Sequence, residues 1–212
     1  MAHPFATRRD PIEEAFVQSV VSEVTDHGFT VIADYRVNTG SKSQPLGGYF
    51  DPDRRELAVA SGRSGWVEIL AHEYNHFRQW QDGDRWFSDP KISWYWNTLD
   101  QWLGGWTNPS EERMRKVSRE IALCELDCER RTVKTLKALG YSAKRLRRYA
   151  RGANAYVWSY EATRVFREWN KPGRGPYDVK ELRDLCPPRL MHPSQVQRPP
   201  PEFLRVFAKR CL

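Results

Sequence analysis

The sequence predicts an α+β, mostly helical fold in which a small antiparallel sheet packs on a helix bearing two histidines and on a second helix bearing glutamates. Three observations carry this reading. Apolar residues recur at helical spacing in three long stretches, near 11–27, 108–139 and 144–169. β-Branched and aromatic residues cluster instead in two short stretches, Thr30–Arg36 and Gly47–Ala60. Between the strands and the later helices lies Ala71-His72-Glu73-Tyr74-Asn75-His76-Phe77-Arg78-Gln79-Trp80, with no Pro or Gly to interrupt a helix.

In chain order, Pro11 after Asp10 suits the first turn of a helix whose apolar positions are Ile12, Ala15, Phe16, Val20 and Val24, and Gly28 ends it. Thr30 to Arg36 follows as a strand and Asn38 to Gln44 as a loop. Gly47 to Ala60 reads as a hairpin about an Asp51-Pro52-Asp53 turn; a strand so near the histidine helix can offer a free edge to an extended peptide, and an internal strand has the same sequence pattern. The histidine helix carries an apolar stripe of Trp66, Val67, Ile69, Leu70, Tyr74, Phe77 and Trp80 and ends near Asp82-Gly83-Asp84.

Residues 85 to 109 hold seven large aromatics, among them Trp86, Phe87, Trp94, Trp102 and Trp106; a second hydrophobic cluster is the favoured reading, a lid over a cleft the other. Asn108-Pro109-Ser110-Glu111-Glu112 starts a long helix that Gly140 closes. The next helix packs through residues such as Leu146, Tyr149, Ala153, Val157, Tyr160 and Val165. A proline-rich stretch from Lys171 then leads to a short terminal helix at Pro201 to Cys211.

The 212 residues suffice for a single domain, 1–212, with a basic, Pro-rich C-terminal segment from about 171. A hydrophobic content of 40%, nine tryptophans and a mean hydropathy of −0.74 exclude disorder and a membrane span. The start lacks an apolar core, and Cys124, Cys128, Cys186 and Cys211 follow no disulfide or Cys-x-x-Cys pattern, so reduced thiols in a cytoplasmic protein are expected. The net charge of +7 is uneven: residues 141–212 carry 16 Lys/Arg against 6 Asp/Glu. A basic end is suited to nucleic acid or another anionic surface, although no nucleic-acid-binding motif accompanies it.

The chemistry sits in His-Glu-x-x-His. Residues four apart lie about 40° apart around a helix, so His72 and His76 project from one face, one turn apart, and can share one zinc ion. Glu73 points to the side of that face, where it can reach a zinc-held water as a general base. Catalytic zinc takes three protein ligands. Glu125 is the leading third, because Glu125 and Glu129 form Glu-x-x-x-Glu on one helix face, and one carboxylate can bind metal while the other orients a histidine. Glu129 with the roles exchanged, Glu120, Asp82 and His192 are the alternatives. A thiolate ligand at Cys124 or Cys128 is less favoured than small, buried helix-face residues.

A strand, a His-Glu-x-x-His helix and a later helical glutamate resemble the zincin metallopeptidases, specifically the gluzincin branch typified by thermolysin. The similarity spans roughly residues 48 to 139. Tyr49-Phe50-Asp51-Pro52 and Glu125-Leu126-Asp127-Cys128-Glu129-Arg130-Arg131 are also similar to small metallopeptidase-like proteins of bacteria and their phages. The resemblance implies zinc held by His72, His76 and Glu125, hydrolysis of a peptide or protein substrate with Glu73 as base, and Glu129 behind a ligand where that branch has Asp. It further implies a tyrosine or histidine donor to the oxyanion, for which Tyr156 and Tyr160, with Arg164, are the candidates. Two other readings remain: a catalytically silent zincin-fold binding module, and a protease docked on nucleic acid through its basic third.

Overall fold

A computed structural model describes residues 10–34 and 47–212, apart from the side chains of 91 and 93. The expected Tyr35–Arg36 strand end and the loop at Asn38 to Gln44 lie outside the described residues. The Asp10 carboxylate accepts a hydrogen bond from the Ile12 amide at 2.8 Å and starts helix α1 (Pro11–Asp26), which buries Val17, Val20 and Val24. Gly28, at φ +77°, supplies the left-handed turn that releases the chain into β1 (Thr30–Asp34).

β2 (Gly48–Asp51) and β3 (Glu56–Ala60) form the expected antiparallel hairpin, with the Asp51 carboxylate capping the Asp53 and Arg54 amides in the turn. The sheet as a whole is mixed rather than antiparallel. Its order is β1-β3-β2, and β1 lies parallel to the central β3 with Thr30 opposite Glu56. Residue content makes a strand, but the route of the crossover decides its direction, and that route is not written in the strand's own residues. β2 is an edge strand that pairs with no other described strand.

Helix α2 (Trp66–Gln81) packs between this sheet and the long helices. Its stripe faces the sheet: Trp66, Val67, Leu70 and Phe77 are buried with Val17, Val20, Phe29, Leu57 and Val59. Phe29, Phe50, Phe77 and Trp80 meet there ring to ring, Phe29 and Phe50 stacked at 5.4 Å and Phe29 edge-on to Trp80 at 4.9 Å. Such a cluster fixes the rotation of α2 about its axis, so residues a third of a turn away are delivered to one place. Ala71, buried against Leu136, Tyr149 and Ala153, begins that second face.

α6 (Glu111–Ala138) starts where the Ser110 hydroxyl accepts from the Arg113 amide at 3.2 Å and stops at Gly140, φ +79°. α7 (Ala143–Phe166) starts likewise at Ser142 and lies along α6. The aromatic stretch folds as α3 (Arg85–Ser88), α4 (Pro90–Ser93) and α5 (Tyr95–Leu103). It divides between roles. Leu99 and Trp102 join the core of α6 and α7, whereas Trp94 and Trp106 are 48% and 80% exposed. Val165, expected in the packing, is exposed on the solvent side of α7, while Phe166 beside it packs inward. The C-terminal part adds α8 (Lys180–Asp184), a 3-10 turn at Pro193–Gln195 and α9 (Pro201–Arg210), whose Phe203 and Phe207 are fully buried. No helix among the described residues is long and apolar enough to cross a membrane.

Candidate metal centre

The junction of α2, α6 and α7 gathers most of the residues that the sequence singles out. His72 Nε2 lies 3.1 Å from His76 Nε2, and Glu125 Oε2 lies 3.4 Å and 3.3 Å from those two atoms. A tetrahedral zinc with bonds of about 2.0–2.1 Å separates its ligand atoms by roughly 3.3–3.4 Å, so the two edges to Glu125 have the lengths of zinc ligands and the edge between the histidines is slightly shorter. Glu125 Oε2 adds a second sign: it is buried and makes no hydrogen bond. A buried carboxylate oxygen without a donor costs free energy unless a cation completes it. Two imidazoles and one carboxylate would leave the fourth position of a tetrahedral ion to water, the donor set that catalytic rather than structural zinc takes.

Each imidazole is held by its other nitrogen. His76 Nδ1 lies 2.8 Å from Gln79 Oε1, and Gln79 Nε2 donates in turn to Asp127 Oδ2 at 2.9 Å and the Cys124 carbonyl at 3.2 Å. His72 Nδ1 lies 3.3 Å from Glu129 Oε1. Nδ1–H therefore has an acceptor on both rings, which leaves both Nε2 lone pairs aimed at the common point. Glu129 is wholly buried and is fixed by the Tyr149 hydroxyl at 2.5 Å and the Tyr177 hydroxyl at 2.6 Å.

Burial disfavours charge on Glu125, but the neighbouring His76 and His72 hold its carboxyl well below the usual range. Burial likewise opposes a charged His72 or His76, yet the groups around them, Cys128 and the Glu125 and Glu129 carboxylates, lift both well above the ordinary histidine value. All three directions favour positive charge beside Glu125.

Cys128 is the rival ligand, since His72, His76 and Cys128 also have donor atoms within 4.8 Å of one another. Its sulfur lies on the Nδ1 side of His72, 3.7 Å from that nitrogen, and its S–H donates to the His72 carbonyl at 3.2 Å. A thiol already satisfied behind the ring is a poorer third ligand than a carboxylate oxygen that has no donor and faces both Nε2 atoms.

Glu73 is buried beside the histidines, and no described group hydrogen-bonds to its carboxylate. Burial pushes its pKa up, while the neighbouring histidines pull it down. Its Cγ lies against Gly48 on β2, where an added Cβ would stand 2.9 Å from it and 2.7 Å from the Ala58 carbonyl oxygen. Glycine there lets the edge strand run past the site in close contact.

Tyr160 donates to Glu125 Oε1 at 3.1 Å and shares a hydrogen bond of 2.8 Å with the Tyr156 hydroxyl, and the Tyr156 ring stands edge-on to His72 at 6.1 Å. Both tyrosines are therefore at the cluster. Arg164 is not: its guanidinium is paired with Glu161 at 2.6 Å and with Glu111 at the start of α6. Glu120 is paired with Arg85 at 2.6 Å, and Asp82 with Arg131 at 2.6 Å. His192 is an exposed cap on the 3-10 turn. None of these three reaches the histidines.

Gln79, Tyr149 and Tyr177 are the site residues that the sequence did not point to. Gln79 lies three residues after His76, on the same helix face, and that spacing was the available signal. Replacing its acceptor in Gln79→Leu is expected to lower zinc affinity about 10- to 100-fold, read by competition with a chromophoric chelator. Unchanged affinity would mean that packing alone holds His76.

A comparison with protein-family models, with curated proteins and with solved structures found no match. The chemistry of the cluster therefore rests on its own geometry.

Proposed function

We propose that this protein is a zinc-dependent metallopeptidase of the gluzincin type. The observation that carries the proposal is the convergence of His72 Nε2, His76 Nε2 and Glu125 Oε2 beside the buried Glu73 carboxylate. Zinc bound there supplies a Lewis acid and a water whose pKa falls toward about 7. Glu73 takes the proton of the attacking water and passes it to the leaving amine, roles that favour a carboxylate raised by burial and, among the described residues, without a competing hydrogen bond. Of Tyr156 and Tyr160, Tyr160 gives its hydrogen to Glu125, so the Tyr156 hydroxyl is the neutral donor for charge that develops on the substrate oxygen and Tyr160 positions it; burial keeps both protonated. Glu129 and Gln79 position the two histidines and take no proton from the substrate.

The edge strand β2 supports a peptide substrate over a small molecule. An extended chain can pair with the side of β2 that meets no described strand, next to Gly48 and Glu73. All four cysteines are buried free thiols, which fits a reducing compartment such as the cytoplasm.

The direct test is hydrolysis of fluorescein-labelled casein by zinc-loaded protein. Cleavage that 1,10-phenanthroline abolishes and added zinc restores supports the reading. A zinc-loaded protein that cleaves neither casein nor a peptide library would give way to the silent binding module.

A further inference from the structure

A cleft of about 790 Å3 opens on the face of α6 turned away from the histidines, between α6, α7 and the segment 187–191. Asp127, Arg130, Arg131 and Lys134 line it; they lie roughly opposite Glu125 and Glu129 around the helix at about 100° per residue. Its floor is aliphatic, formed by Val133, Leu146 and Leu190. Its rim is cationic: Arg130, Lys134, Arg147 and Arg189 surround the opening.

These cations stand apart from the arginines that the fold ties down. Arg78, Arg85, Arg131, Arg145 and Arg164 are all paired with carboxylates. Lys134, Arg147 and Arg189 are exposed and make no ion pair among the described residues, and Arg130 gives one hydrogen bond to the Met191 carbonyl at 3.2 Å. The two acids in the cleft do not neutralise them, because Asp82 and Asp127 are held by Arg131 at 2.6 Å and 2.9 Å.

The far wall is pinned. Asn154, wholly buried on α7, donates to the Pro187 and Arg189 carbonyls at 3.0 Å and 2.8 Å and accepts from the Met191 amide at 3.0 Å. The segment that carries Arg189 and Leu190 is thus fixed before any ligand arrives, which lowers the ordering cost of binding.

We propose that this cleft binds a small amphiphilic anion, an aliphatic body that ends in a phosphate or carboxylate. Its volume falls in the range of small-molecule sites. The aliphatic floor takes the body, and guanidinium groups take the head in paired hydrogen bonds. No aromatic residue lines it, so it lacks the stacking platform on which single-stranded nucleic acid is held. The proposal does not depend on the metal centre.

The test is calorimetric titration at low salt with hexyl phosphate, hexanol, inorganic phosphate and an oligothymidylate. Hexyl phosphate is expected to bind at least tenfold more tightly than hexanol or inorganic phosphate. Lys134→Glu/Arg147→Glu, both exposed and remote from the histidines, is expected to weaken it at least tenfold, and the milder Arg189→Gln at least threefold, with circular dichroism unchanged. Equal binding of hexanol, no binding of hexyl phosphate, or unchanged affinity in both variants overturns the proposal. Oligothymidylate binding more tightly than hexyl phosphate, and lost in the same variants, replaces it with a nucleic-acid surface.

Discussion

Wild-type protein purified without added metal is expected to carry about one zinc per chain, and Glu125→Ala prepared beside it almost none. The expectation follows from the triangle of Nε2, Nε2 and Oε2 atoms, because removing Glu125 leaves two imidazoles and no anionic ligand on their Nε2 side. Loss of a residue that merely orients a ligand costs about 10- to 100-fold in metal affinity, so loss of a ligand should exceed about 100-fold. The folded state should report it too. Zinc at a hundred times its dissociation constant stabilises wild type by about 2.7 kcal/mol, which for a chain of this size raises Tm by roughly 5–10 °C. Glu125→Ala should show no such rise at the same zinc concentration.

Cys128→Ser separates the two ligand sets, since it preserves shape and removes the sulfur. It should keep its zinc, because Cys128 bonds to the His72 carbonyl from behind the ring. If Glu125→Ala holds zinc as wild type does and Cys128→Ser loses it, the metal belongs on the sulfur side and the open catalytic site is wrong.

The parts of this molecule that repeat along the chain were readable from it. α1, α2, α6 and α7 fall where apolar spacing and Ser, Pro and Gly punctuation put them, and the hairpin falls at Asp51-Pro52-Asp53. His72, His76, Glu125 and Glu129 were legible for the same reason: each pair is four apart on one helix, so local geometry alone brings its members together. What depended on tertiary approach was not legible. Tyr149 and Tyr177 reach Glu129 from 20 and 48 residues away, and only the packing of α7 and of the turn before α8 brings them there. The parallel course of β1 was hidden in the same way.

Arg164 shows a limit of helix periodicity. It lies four residues beyond Tyr160 and shares its face, but one turn further along α7 the neighbours are Glu161 and Glu111, which take its charge. Gln79 shows a limit of motif reading. It stands outside the His-Glu-x-x-His pattern and reads only as part of an uninterrupted helix, whereas its amide joins His76 to Asp127 on α6.

Glu73→Gln should keep its zinc and lose hydrolysis. The amide has the shape of the carboxylate, Glu73 lies outside the ligand triangle, and no described group depends on it for a hydrogen bond, so metal content and Tm should stay near wild type. What disappears is a group able to take a proton from water and return it to the amine, worth typically about 10²–10⁴-fold in rate. Tyr160→Phe tests a different contribution, since it removes the hydrogen bond to Glu125 and the partner of the Tyr156 hydroxyl. It should lower both turnover and zinc affinity, and the pairing of the two losses distinguishes it from Glu73→Gln. Casein cleavage by zinc-loaded Glu73→Gln at the wild-type rate would remove Glu73 from the chemistry. Loss of zinc from that variant would instead make Glu73 part of the metal's own support, and the base would have to be sought among the remaining buried carboxylates, of which Glu129 is already committed to His72, Tyr149 and Tyr177.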